Sequence, residues 1–134
     1  MRAVVLRTHG GPEVLTIEEV DDPTPGRDDI VVDVEHTAIN RADILQRMGM
    51  YPDPRNRSVE IPGLEFAGVV SAVGADVIGW SVGDRAMGIE AGGCYAGKVV
   101  THARQALPVP ASVASADAAA IPEVFLTAWD ALVV

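Results

Sequence analysis

The chain has one cysteine, Cys94, in 134 residues. A single thiol can form no internal disulfide and cannot by itself hold a structural metal ion, and this economy suits a reducing compartment, so the expected location is the cytoplasm. Lysine is equally scarce. Lys98 stands beside nine arginines and 19 acidic residues, for a formal net charge of −9, and no basic cluster exceeds the pair Arg55 and Arg57. Such a chain repels phosphate backbones, which argues against nucleic acid as a partner. No apolar run approaches the roughly 20 residues that a bilayer span needs. The apolar run Ala3–Leu6 closes at Arg7 and His9, too short for a signal peptide, and no membrane partner is expected. The chain also lacks any Gly-x-Gly-x-x-Gly, the pattern whose glycines let a backbone approach a pyrophosphate at a helix start. Alone, it is not expected to hold a dinucleotide tightly.

What is present is 49% hydrophobic residues and a positive mean hydropathy, enough for one domain with a real core. The first ninety residues read as short strands broken by Gly and Pro. A strand is expected at Ala3–Leu6, a turn at Gly10-Gly11-Pro12, a second strand from Val14 to Ile17, and a loop over 21–26 whose prolines bar it from a sheet interior. Residues 30–39 alternate, with Ile30, Val32, Val34, His36 and Ala38 on one face. That period predicts a half-buried antiparallel strand with His36 as a satisfied core residue. More strands are expected at Gly68–Val73, Ala86-Met87, Val99–Thr101 and Ala106–Pro110. Helices are expected at Ser115–Ala120 and Glu123–Val134, with Pro122 in a first-turn position. The sum is a mainly β fold with short helices, a small barrel or sandwich.

At Asn40 the period changes. Ala42, Leu45 and Met48 recur at helical spacing, Asn40 stands at the N-cap, Asp43 follows three residues on, and Gly49 marks the stop. Capping alone explains Asn40 and Asp43, and a site role is compatible with it. Tyr51 follows on a polar stretch expected to run exposed to Glu60. Glu65 lies between Leu64 and Phe66, and a buried carboxylate there needs a partner, for which Arg41 is the candidate in a structural ion pair. Thr127 reads as a helix-interior threonine that can bond back to the preceding turn. Residues 92–98 spell most of a phosphate loop, but Val99 stands where Ser or Thr is required and no helix follows, so that motif is rejected. His9, His36 and His102 show no ligand spacing, and Cys94 reads as a quiet thiol.

Taken in order, Gly10–Leu15, Asn40–Asp43, Gly49-Met50-Tyr51, Pro62–Val70, Val82–Arg85, Gly92–Ala96 and Thr127–Trp129 resemble the quinone oxidoreductase branch of the medium-chain dehydrogenase/reductase family, including the zeta-crystallin-like and p53-inducible quinone reductase groups. Each piece is weak, the ordered set is specific, and it covers essentially the whole chain. The resemblance implies a GroES-like, distorted and partly open β-barrel. Residues 1–122 would be the substrate domain and 123–134 the start of a linker helix toward a nucleotide-binding Rossmann domain that is absent. It implies reduction of a quinone or related conjugated carbonyl by hydride from NADPH or NADH, with this part inactive alone, and it is compatible with a homodimer of the complete enzyme.

The same resemblance makes Asn40 and Tyr51 the candidate catalytic residues, facing nicotinamide and quinone. With Thr127 at the domain junction they are also the candidate cofactor contacts, while Asp43, Glu65 and Arg41 are structural. In the related zinc alcohol dehydrogenases a Cys matches Asn40, a Ser or Thr matches Ala42, and a His matches Leu64. An amide, a methyl and an isobutyl group cannot replace the ligands that zinc requires, so no zinc is expected. A quinone is already electrophilic, and the protein mainly has to orient it. Two other readings stay open: a GroES-like binding or interaction module, and a fragment of a zinc-type alcohol dehydrogenase.

Overall fold

Arg2–Leu6 (β1) and Leu15–Glu19 (β2) pair as an antiparallel hairpin, Arg2 opposite Glu19 and Leu6 opposite Leu15. Between them Pro12–Val14 makes a single 3-10 turn, where a proline without an N–H costs nothing. The remaining strands are Asp29–Thr37 (β3), Glu65–Val73 (β4), Arg85–Ile89 (β5), Lys98–His102 (β6) and Ala106–Pro108 (β7). They form one antiparallel sheet in the order β6-β3-β4-β5-β7, curled into a half-barrel. Bridges from Ala3 to Ala96 and from Leu6 to Glu60 tie the hairpin to it. Three helices complete the fold: Arg41–Arg47 (α1), Ser115–Ala118 (α2) and Pro122–Val133 (α3). This computed structural model describes residues 1–52, 54 and 59–133. Asp53, Arg55, Asn56, Arg57 and Ser58, half of the expected exposed loop and with it the Arg55–Arg57 pair, lie outside the described residues; Val134 does too.

The core is built around β4. On one face Phe66 and Val70 pack with Ile30, Val32, Ala86, Cys94, Val99 and Ala106. On the other, Ala67 packs with Met87, Val109, Ala118 and Ala119, which places α2 against the back of the sheet. A strand covered on both faces is rich in small and β-branched residues, as Ala67, Gly68, Val69 and Val70 are. Gly68 is obligatory for a different reason. A Cβ there would collide with the backbone carbonyl of Asp33, so β3 and β4 close only over a glycine.

The simple alternation expected for β3 does not hold. Ile30, Val31 and Val32 are all buried, and His36, expected in the core, is exposed. The cause is register. The β3–β4 pairing slips between Val31 and Val32 and again between Val34 and His36. The first leaves Ser71 of β4 unpaired and the second Glu35 of β3; the second exchanges the faces of β3, so a period-two reading fails from His36 on. The helix expectations survive. α1 ends where Gly49 takes φ +74, with the Gly49 N–H on the Gln46 carbonyl (2.9 Å) and the Met50 N–H on the Leu45 carbonyl (2.8 Å).

Candidate functional site

The connection from β3 to β4 carries α1 and Tyr51, so the pairing of these strands decides where the candidate residues stand. Asn40 and Asp43 form the capping box of α1. The Asn40 backbone N–H donates to Asp43 Oδ2 at 2.7 Å, satisfying a helix-start donor. The same oxygen accepts the Tyr95 hydroxyl at 2.7 Å. Tyr95 is held from below by a close approach: Gly63 sits at φ +100, and a Cβ on it would strike the Tyr95 ring.

Glu65 is 1% exposed, and its carboxylate is divided between two donors. Oε1 accepts the Asn40 side-chain amide at 2.8 Å, and Oε2 accepts the Glu123 backbone N–H at 3.0 Å. The Thr37 hydroxyl donates to the Glu65 carbonyl at 2.6 Å, fixing the end of β3 to the start of β4. The expected partner Arg41 is exposed. This corrects the expectation of an ion pair. The carboxylate is stabilised by hydrogen bonds and by the positive end of α3, where the first N–H groups have no partner within the helix.

Two buried carboxylates, with no ion pair among the described residues, perturb their surroundings. Burial pushes the Asp43 carboxyl above its ordinary 3.8, and the charge of Glu65 adds to that; the N–H groups of Asn40 and Leu64 and the Tyr95 hydroxyl act in the opposite direction. The Tyr95 phenol is pushed well above its ordinary 10, first by burial and then by Asp43, so it stays a hydrogen-bond donor at any physiological pH. Gln46, 2% exposed, closes the floor, accepting the Gly63 N–H at 3.1 Å and donating to the Ala91 carbonyl at 3.2 Å.

The structure therefore brings Asn40, Asp43 and Glu65 into one bonded group with the first turn of α3. Among the described residues, Tyr51 and Thr127 form no hydrogen bond to it. Tyr51 is exposed beyond the end of α1, and Thr127 is exposed on α3. The sequence reading missed Tyr95 and Gln46. A tyrosine among the small residues 92–97 was the available signal, because a phenol packed there needs a partner for its hydroxyl. A largely apolar groove of about 600 Å³ runs along β1 and β3, lined among others by Val4, Ile17, Val34, Thr37 and Tyr95; it adjoins the bonded group through Thr37 and Tyr95, while none of Asn40, Tyr51 and Thr127 lines it. Among the described residues there is no group of three or more His, Cys, Asp or Glu side chains placed to hold a metal ion. No helix among them is long and apolar enough to cross a membrane.

Comparison with known proteins places this geometry. Residues 26–111 match the alcohol dehydrogenase GroES-like domain. A mycocerosic acid synthase-like polyketide synthase of Mycobacterium tuberculosis is 40% identical over 124 residues, 92% of this chain and 6% of that protein. The mouse synaptic vesicle membrane protein VAT-1 homolog-like is 32% identical over 132 residues, 98% of this chain and 31% of that protein. A quinone oxidoreductase of Escherichia coli, solved in complex with NADPH, superposes with a TM-score of 0.92 at 33% identity, covering 99% of this chain and 40% of that one. The chain thus spans less than half the length of each of these proteins. It belongs to the alcohol dehydrogenase GroES-like domain family, in the medium-chain dehydrogenase/reductase form found in quinone oxidoreductases.

Proposed function

We propose that this domain forms the acceptor wall of a cleft in which an NADPH-dependent oxidoreductase reduces a quinone or related conjugated carbonyl without zinc. Residues 1–122 are the substrate domain, and α3 from residue 123 leads toward a nucleotide-binding domain. The observation that carries this reading is the near-complete superposition on a quinone oxidoreductase solved with NADPH. The residues fit the group chemically. Asn40, Tyr51 and Thr127 are neutral donors and acceptors, suited to a neutral nicotinamide carboxamide and a flat carbonyl acceptor. NADPH, when bound by the second domain, supplies the hydride.

The work of this chain is then positioning and electrostatics. Asn40 orients the nicotinamide. Tyr51 stacks on the flat acceptor and donates a hydrogen bond to the carbonyl oxygen that gains charge. Thr127 meets the carboxamide at the domain junction. Position 64, a histidine in zinc relatives, is here the buried Leu64, 5% exposed, which contributes shape but no ligand. The match to a polyketide synthase favours a second acceptor within the same chemistry, an α,β-unsaturated acyl group carried by a larger synthase.

The test is turnover in a protein that joins this domain to its nucleotide-binding domain, with a quinone and an unsaturated acyl thioester as alternative acceptors. Chelator-resistant NADPH oxidation, lowered by N40A and Y51F, is expected. Activity lost to a chelator and restored by zinc overturns the proposal, as does the absence of oxidation with either acceptor.

A further inference from the structure

The Glu65 carboxylate joins two features that sequence separates widely. One oxygen holds the side-chain amide of Asn40, 25 residues away, and the other holds the backbone N–H of Glu123, 58 residues away. Both contacts are charge-assisted, and the group is almost wholly buried at the first position of β4. An ionised carboxylate only accepts hydrogen bonds, so it admits one orientation of the Asn40 amide: the NH₂ end faces Glu65. At α3 the same side chain meets an orphan donor of the first turn and the positive end of the helix. Alternation along β4 places Glu65 on the face of Ala67, whose cluster includes α2. The Thr37 hydroxyl and the pairing of Glu65 with Ile89 hold the backbone beneath it. Among the described residues no ion pair involves the carboxylate, and Arg41 is exposed.

We infer that Glu65 is a positioning residue that couples the orientation of the Asn40 amide to the seating of the first turn of α3. The helix that leads toward the second domain and the amide that faces the cleft then share one anchor. A change in the tilt of α3 is felt at Asn40 through a single side chain, without a path through the sheet. The coupling is a property of this chain's own bonds. Its value for turnover rests on the proposed role of Asn40, and the two are tested by different readouts.

The experiment is amide hydrogen exchange and side-chain amide NMR on the full chain, with E65Q, N40A and the double variant. A glutamine side chain replaces one carboxylate oxygen by an NH₂, so it cannot accept at both positions that the two donors face. In E65Q, exchange at Glu123 should quicken by on the order of tenfold, the effect of losing one charge-assisted hydrogen bond, while Val70 in the strand core keeps its protection. Adding N40A to the wild type should shift the Glu123 amide, and adding it to E65Q should leave that amide unmoved, the signature of coupling through the carboxylate. Unchanged exchange at Glu123 in E65Q overturns the inference. Equal loss at Glu123 and Val70 also overturns it, because Glu65 then only holds the sheet. If E65Q fails to fold, N40A alone decides: an unmoved Glu123 amide overturns the inference. None of these readouts needs turnover, so a failed activity assay and a failed coupling are separate results.

Discussion

At the scale of single residues, the site rests on carboxylates held by neutral donors. Asp43 Oδ2 accepts from the Asn40 N–H and from the Tyr95 hydroxyl. Removing the hydroxyl leaves a buried oxygen with one donor fewer, and Y95F should cost about 1–3 kcal/mol of stability, measured by denaturant unfolding. The pH dependence has a definite sign. The Asp43 carboxyl titrates above 3.8 in the folded chain, so the folded state binds the proton more tightly than the unfolded one. Its contribution to stability grows as pH falls through the folded value, and it levels off below 3.8. The stability difference between the wild type and D43N should therefore shift in favour of the wild type as pH falls from neutral toward 4, by urea unfolding at a series of pH values. Because the Tyr95 hydroxyl lowers the Asp43 value, Y95F should move that window upward. His36, exposed on β3, should tolerate alanine within about 0.5 kcal/mol.

At the scale of elements, the sheet decides the site. G68A is expected to separate β3 from β4, because the new methyl meets the Asp33 carbonyl rather than a side chain that could yield. Circular dichroism should register a fall in melting temperature, and the Asn40 side-chain amide signal should disperse with it. F66A, which empties the centre of the larger core cluster, should cost about 3–5 kcal/mol. These are also the elements where reading the sequence did well or badly. The strand at Ala86-Met87, the caps of α1 and the first-turn Pro122 were legible, because turn and cap chemistry is local. The second half of β3 was not, because a bulge is set by the neighbouring strand and leaves no mark on the alternation of its own residues. The partner of Glu65 was missed for a related reason. A search for opposite charge finds Arg41, whereas the actual donors are a neutral amide and a backbone N–H brought in by α3.

At the scale of the whole molecule, α3 presents an uncovered apolar surface, with Phe125 65% exposed, Trp129 62% and Leu132 84%. Patches of this kind mark interaction surfaces. F125E/W129E should leave the melting temperature of the domain nearly unchanged while lowering its binding of a hydrophobic dye, which fluorescence titration checks. A dye signal that survives the double change would place the sticky surface elsewhere, with the groove along β1 and β3 the next candidate. The pairing of Thr37 with Phe66 has a consequence for biosynthesis. Everything from Asn40 to Tyr51 lies in the stretch that this pairing encloses, and the second tether, at Glu123, lies 58 residues beyond Glu65. A polypeptide growing from its N-terminus therefore exposes Asn40 and Glu65 before the Glu123 N–H that completes their anchor has been made. The Asn40 amide is anchored early on one side only, and its carboxylate gains the second donor 58 residues later.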